Sequence, residues 1–254
     1  MPIEKLADVP APTSLAGGQG AGSPEPERAR IDHVVIGARR IEDVQDRLRE
    51  AYGFGVIRGS AHHDGTQGWL VPFDTPAVQY LEILTPGEPE VLGGSEFGRS
   101  FLERTADGPA FLTWAVLSPD IEVDAARVAE LTGGDPGLLR GESVRADGRR
   151  FPWAEAGFAP SWDRPCRPFF LEYGNWPARS ARVPGDLERA GHRVTPRTFT
   201  ALSVRGEPSG LPAWWQPHQL PVTVRPGWPE GVAAVQVATV DGDGVPGATT
   251  VVLG

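Results

Sequence analysis

The sequence has little cysteine and no long apolar run, and both shortages narrow the class of protein. Its single cysteine, Cys166, excludes an internal disulfide framework and a cysteine-based zinc site within one chain. No apolar stretch approaches the roughly 20 residues that a membrane-spanning helix needs. The first residues lack the apolar segment of a secretory signal. These features predict a soluble, cytoplasmic protein with no membrane partner.

Clustered positive charge is also missing. The formal net charge is -9 at pH 7, and the basic residues are almost all scattered arginines. Such a chain repels phosphate backbones and has no polybasic patch for a membrane surface. Nucleic acid is therefore not expected as a partner. The G-x-S-x-G, P-loop and H-E-x-x-H motifs are absent as well.

Glycine (32) and proline (26) are frequent, which favours short strands and turns over long helices. The 254 residues suffice for a sizeable core. Residues 1–29 are rich in Pro, Gly, Ala, Ser and Glu without apolar periodicity, which predicts a flexible tail. Order is expected to begin at Ile31.

Residues 31–84 predict one β-α-β-β-β unit. Residues 31–37 form a β-rich run, and Ile41, Val44 and Leu48 then recur at helical spacing before Gly53. Residues 54–58, 65–73 and 78–84 read as three further strands. We take residues 30–108 as the first module.

The same order returns over residues 111–173. A strand at 111–117 precedes a helix at 121–131, and two strands flank a turn at Asp147 and Gly148 before a last strand at 169–173. This internal repeat predicts a second module at 109–185. Residues 186–254 predict a degenerate, β-rich half-module, since their many prolines exclude a long helix.

Several short motifs, in order, resemble the glyoxalase-like domains of the vicinal oxygen chelate superfamily. They lie at residues 31–35, 62–67, 70–72 and 80–84 in the first module, and at 145–153 and 168–173 in the second. The resemblance covers roughly residues 31–180. It implies an α+β fold in which paired βαβββ modules form a curved, cupped mixed sheet around a small-molecule pocket.

The resemblance also implies a divalent metal ion, Fe, Mn, Zn or Mg, held by residues on the first and last strands of each module. Carried over, the ligands are His33, Glu82 and Glu172, and Thr113 stands where a histidine is usual. Strand alternation places His33 with Val35, Glu82 with Tyr80 and Glu172 with Phe170 on faces that are otherwise apolar. A buried carboxylate on such a face needs a cation, a proton or hydrogen bonds.

The loop that contains His62 and His63 supplies the candidate catalytic residues, because an imidazole reaching over the pocket can act as acid or base. The candidates for substrate binding are Thr113, Trp153, Arg145 and Trp176. We predict a metal-assisted lyase, isomerase or dioxygenase that acts on a small oxygenated metabolite. The alternative is a metal-free protein that binds or sequesters a small molecule. Exposed sheet edges favour a homodimer.

Overall fold

The structure is a computed structural model that describes residues 28–144 and 150–253. Most of the predicted tail, and the turn predicted at Asp147 and Gly148, therefore lie outside the described residues. The first module contains β1 (Arg30–Gly37), α1 (Glu42–Tyr52), β2 (Ile57–Ala61), β3 (Thr66–Pro72) and β4 (Tyr80–Pro86). Helix α1 buries Val44 and Leu48 and ends at Gly53, whose φ of 74° suits glycine.

Two short helices connect the modules, α2 (Pro89–Gly94) and α3 (Glu96–Arg104). The Ser95 hydroxyl caps α3 by accepting a hydrogen bond from the Gly98 amide at 2.8 Å. Phe101 on α3 is fully buried and packs with Trp162 and Leu92. The connection between the modules therefore packs against the second module through Trp162.

The second module contains β5 (Ala110–Leu117), α4 (Ile121–Thr132), β6 (Leu139–Val144), β7 (Arg150–Ala156), α5 (Phe158–Asp163) and β8 (Phe169–Tyr173). Asp120 caps α4 through its side chain, as expected for an acidic residue at this position. Helix α5 is an addition to the β-α-β-β-β order that the sequence predicted.

The eight strands form one sheet in the order β2-β3-β4-β1-β5-β8-β7-β6. Within the modules, β1 pairs with β4 and β5 with β8 in parallel, and the antiparallel pair β1–β5 joins the two halves. The sheet curls into a half-barrel. The predicted α+β fold with paired βαβββ modules is therefore confirmed.

The four remaining strands form a second, smaller sheet. The described residues after β8 contain α6 (Trp176–Ser180), α7 (Val183–Ala190), β9 (Val194–Arg205), a 3₁₀ helix (Leu211–Trp214), β10 (Val222–Arg225), β11 (Gly231–Asp241) and β12 (Pro246–Val251). Its strand order is β10-β9-β11-β12. The boundaries 30–108, 109–185 and 186–254 stay predictions.

One apolar core joins the small sheet to the convex face of the large one. It includes Val34 of β1, Trp114 of β5 and Leu202 of β9, together with helices α1 and α4. The Trp114 and Trp215 rings meet edge to face with centroids 5.7 Å apart. Helices and the small sheet therefore cover the convex face. No helix in the described ranges combines the length and apolarity needed to cross a membrane.

His192 links the small sheet to the first module. Its Nδ1 accepts a hydrogen bond from the Gly55 amide at 2.9 Å, and its Nε2 donates one to the Pro72 carbonyl at 3.0 Å. This pattern requires the neutral imidazole. Burial lowers the pKa of His192 and outweighs the opposing effect of the Pro72 carbonyl.

We expect His192 to make folding pH-dependent. Because its pKa is lower in the folded state, its contribution is present above the unfolded value of about 6.5 and is lost as pH falls. His192→Gln should cost about 1–2 kcal/mol at pH 7.5, since one buried hydrogen bond loses its partner. Urea unfolding at pH 7.5 and 5.5 checks this. An equal cost at both pH values would contradict the proposed role.

Candidate functional site

The strand register brings four side chains onto the concave face of the large sheet. Val35 pairs with both Glu82 and Thr113, and His33 lies two residues before Val35. Glu155 pairs with Leu171, which lies on the same face as the β5 residues Thr113 and Leu117. His33, Glu82, Thr113 and Glu155 therefore share this face.

His33 is fixed on three sides. Its ring stacks on Tyr80 with centroids 4.8 Å apart and meets the Phe169 ring edge to face at 5.6 Å. Its Nδ1 lies 2.8 Å from Asp32 Oδ2, and its Nε2 lies 3.3 Å from Glu82 Oε2. The side chain is 4% exposed. The Nε2 atom is thus the ring nitrogen that faces the concave side.

His62 approaches the same carboxylate from the loop between β2 and β3. Its Nδ1 lies 2.9 Å from Thr66 Oγ1, and its Nε2 lies 3.8 Å from Glu82 Oε1. Gly68 leaves the space for this ring, since a Cβ there would lie 3.2 Å from His62 Nε2. The neighbouring His63 is exposed. Of the two histidines, the structure therefore brings His62 to Glu82.

The hydrogen bonds at Nδ1 decide what each Nε2 presents to Glu82. Asp32 is an acceptor for His33 Nδ1, and the Thr66 hydroxyl donates to Asp64 at 2.6 Å and so accepts from His62 Nδ1. Each neutral imidazole then carries its proton on Nδ1 and a lone pair on Nε2. Two lone pairs facing one carboxylate are a mismatch that a proton or a metal cation relieves.

Glu155 is the fourth group of this site. Burial raises its pKa to about 7; His33 opposes that rise, and the Glu82 carboxylate adds to it. Glu155 is not among the residues predicted from the sequence, because β7 carries no motif that distinguishes it. Its alternation with Trp153 and Phe151 on a β-rich run is the signal that could have identified it.

The structure does not bring Glu172 to this face. It pairs with Ala154, and its Oε2 accepts a hydrogen bond from the Ile121 amide at 3.0 Å at the start of α4. The register explains the difference. Ala115 pairs with Phe169 as Val35 pairs with Glu82, so Phe169 is the second-module counterpart of Glu82.

Thr113 lies on the concave face, but its hydroxyl forms a short hydrogen bond with the Ser161 hydroxyl of α5. Ser161 in turn donates to the Arg167 carbonyl at 2.8 Å. Helix α5 thus covers the second-module position that corresponds to His33. The donors that the sheet brings together come from the first module and from β7.

The structure describes two of the three remaining candidates, Trp153 and Trp176. Trp153 pairs with Tyr173 on the concave face and lies against Gly141, where a Cβ would come within 2.5 Å of the indole. Trp176 is 3% exposed and packs with Val78 and Leu117 in the core. Arg145 lies outside the described residues.

The donor set at Glu82 fits a metal ion in its chemistry. Two imidazole Nε2 atoms and one carboxylate are ligands that Zn²⁺, Mn²⁺ and Fe²⁺ accept. Across residues 28–144 and 150–253, however, no three His, Cys, Asp or Glu side chains already enclose an ion position. His33 Nε2 lies 3.3 Å and His62 Nε2 3.8 Å from the Glu82 carboxylate, so the three side chains would have to reorient to enclose one ion.

A cupped sheet of two βαβββ modules with polar groups on its inner face defines the vicinal oxygen chelate superfamily. Within it, the chain belongs to the glyoxalase-like domain family, whose model matches residues 31–218. No curated protein matches the chain.

Among solved structures, a hypothetical protein from Staphylococcus aureus is similar at a TM-score of 0.59 and 14% identity, over 87% of this chain and 98% of that one. A methylmalonyl-CoA epimerase variant of Streptomyces coelicolor, in complex with 2-nitronate-propionyl-CoA, is similar at a TM-score of 0.38 and 19% identity, over 57% of this chain and 92% of that one. The methylmalonyl-CoA epimerase of Mycobacterium tuberculosis has a TM-score of 0.35 and 14% identity, over 63% of this chain and 92% of that one. The first likeness concerns the fold alone.

Proposed function

We propose that the concave face binds one divalent metal ion and moves a proton on a small oxygenated metabolite, as an isomerase or lyase does. His33, His62 and Glu82 are the proposed ligands. The observation that carries the proposal is the Glu82 carboxylate, which lies between two imidazole Nε2 atoms whose Nδ1 atoms are both engaged with acceptors. Glu155 replaces Glu172 as the second acidic group of the site.

The protein side chains divide the work of such a site. A bound ion would polarise a substrate oxygen. Glu155 would accept or release a proton near neutral pH, because a general base or acid works best when its pKa lies near the operating pH. Tyr80 and Phe169 pack against His33 and keep water from it. A carboxyl whose pKa is raised to about 7 suits proton transfer, which favours an isomerase or lyase over a dioxygenase.

A titration with Mn²⁺ tests the metal site directly. We expect the protein, purified without chelator and then dialysed against one, to take up one Mn²⁺ per chain, measured by calorimetry and by the loss of free-ion EPR signal. His62→Ala should weaken binding at least about tenfold, whereas His63→Ala should leave it unchanged, because His63 is exposed. No uptake by the wild-type protein would refute the metal proposal.

A metal-free binding protein is the second candidate. It is favoured by the second module, which presents Thr113 and Phe169 where ligands would complete a symmetric site. Here Trp153, on the concave face, would report ligand binding by quenching of its fluorescence. Quenching that is unaffected by chelator, without turnover, would support this candidate over the first.

Glu155→Gln is expected to change the pH dependence of stability. A carboxyl whose pKa is raised to about 7 stabilises the fold at low pH, and that contribution is lost as pH rises through about 7. The variant should therefore be more stable than the wild type at pH 8, by about 1–3 kcal/mol, and no more stable at pH 5. Guanidinium unfolding at both pH values measures this. A variant no more stable at pH 8 would contradict a raised pKa.

We also propose a cytoplasmic location and a homodimer that forms through sheet edges. Strands β2 and β6 lie at the two edges of the large sheet. Their unpaired backbone groups are suited to pairing with another chain.

A further inference from the structure

Asp32 and Arg179 form a buried ion pair behind His33, on the side away from Glu82. Arg179 Nη2 lies 3.1 Å from Asp32 Oδ1, and Asp32 Oδ2 accepts from His33 Nδ1 at 2.8 Å. Asp32 is 0% exposed and Arg179 7%. We propose that Asp32 and Arg179 are positioning residues that fix the tautomer of His33, which leaves the lone pair of Nε2 directed at the site. The part of this proposal in which Asp32 and Arg179 prepare His33 to bind a metal ion rests on the proposed function.

Arg179 and His33 both donate hydrogen bonds to the carboxylate of Asp32. Arg179 comes from α6, which follows the last strand of the second module, and its guanidinium carbon lies 3.4 Å from the centroid of the Tyr173 ring. This stacking holds the guanidinium at Asp32. Asp32 then accepts from two donors: His33 Nδ1 at Oδ2, and Arg179 Nη2, which lies nearer Oδ1 (3.1 Å) than Oδ2 (3.4 Å).

The ring of His33 cannot avoid this control by rotating. Tyr80 lies parallel to it at an interplanar angle of 14°, and Phe169 blocks it edge-on. The choice that remains is which nitrogen carries the proton. A partner that only accepts selects Nδ1–H, and a partner that donates selects Nε2–H.

Asp32→Asn separates these choices with little change in shape. Because Arg179 is a cation that only donates, the introduced amide should turn its oxygen towards Arg179 and its NH₂ towards His33. His33 should then become the Nε2–H tautomer, whose proton points at Glu82. That tautomer has no lone pair at Nε2 for a metal ion.

Long-range ¹H–¹⁵N correlation spectra of metal-free protein, recorded at alkaline pH so that only neutral imidazoles are compared, measure the tautomer directly. The chain has five histidines, and His33→Gln assigns the His33 signals. We expect the Nδ1–H form in the wild type and the Nε2–H form in Asp32→Asn. Mn²⁺ binding should weaken about 10- to 100-fold in the variant.

The double variant Asp32→Asn/Arg179→Met provides the decisive comparison. Without the arginine, the amide is free to turn its oxygen to His33, so Nδ1–H should return and Mn²⁺ affinity should recover at least about threefold over the single variant. This variant also buries no unpaired charge, which keeps it a fair test should the single variant fold poorly. A merely structural ion pair also predicts recovered stability when both charges are removed, but it predicts no change of the His33 tautomer between the single and the double variant.

Asp186→Asn is the matched control. Asp186 is also buried and paired with arginines, Arg182 and Arg189, but it lies on α7. It should leave the His33 tautomer unchanged. The inference is overturned if Asp32→Asn keeps the Nδ1–H form, or if the double variant matches the single one. If the wild type binds no Mn²⁺, the proposed metal site fails, and the spectra still decide the role of Asp32 and Arg179.

Discussion

Replacing Glu82 by glutamine is expected to weaken Mn²⁺ binding at least about 100-fold. The carboxylate of Glu82 faces the Nε2 atoms of both His33 and His62, at 3.3 Å and 3.8 Å. Glutamine keeps the shape but removes the charge, and its NH₂ would donate to one of the imidazoles instead. Calorimetric titration of the wild type and the variant, at the same pH and ionic strength, measures the loss.

Glu172→Gln is the matched control for this prediction. Glu172 is the glutamate on the last strand of the second module, as Glu82 is in the first. Its side chain, however, lies on the other face of the sheet and accepts a hydrogen bond at the start of α4. The variant should bind Mn²⁺ as the wild type does, with a small loss of stability from the weakened cap. Equal losses of affinity in Glu82→Gln and Glu172→Gln would show that the site is built differently.

Gly55→Ala is expected to destabilise the protein by about 3 kcal/mol or more. A Cβ at Gly55 would lie 1.8 Å from the carbonyl oxygen of Ala190, so the backbone at the end of α7 would have to move. Gly55 also donates its amide proton to His192, and that contact would be strained by the same shift. Overpacking that displaces backbone typically costs about 1–3 kcal/mol and occasionally more, and the 1.8 Å approach places this substitution at the upper end. We expect the midpoint of thermal unfolding to fall by roughly 6–12 °C.

The control for Gly55→Ala is Gly93→Ala. Gly93 lies in α2, and nothing stands within 4 Å of the position its Cβ would take. Alanine has a better helix propensity than glycine, so this variant should match or slightly exceed the wild type in stability. A similar loss in both variants would mean that the close approach of Gly55 to Ala190 is not the cause.

The strands that carry the site were predictable because their signals are local. The β-rich run before Gly37 and the capped helix after Asp120 appear where the sequence places them. Helices α2 and α3 were missed, since glycines interrupt them and each is too short for a clear apolar periodicity. Their folding into helices depends on the packing of Phe101, a tertiary contact that sequence periodicity does not reveal.

The candidate site was predictable only within the first module. His33 and Glu82 follow from strand alternation, because two β1 and β4 residues of matching parity face the same side of a parallel pair. The same alternation had grouped Glu172 with Phe170, which the structure places in the core under α4. The position of Glu155 depends on the pairing of β7 with β8, a long-range register that residue types alone do not fix.

The small sheet has a consequence for how two copies of the chain could meet. Strands β9 and β11 already occupy the back of β1 and β5 through Leu202, Val235 and Trp114. A second molecule therefore finds that surface filled by the first molecule's own C-terminal strands. Self-association that leaves this core intact has to use other surfaces; at the edge strands β2 and β6 it would extend the row of strands without stacking one cup behind another.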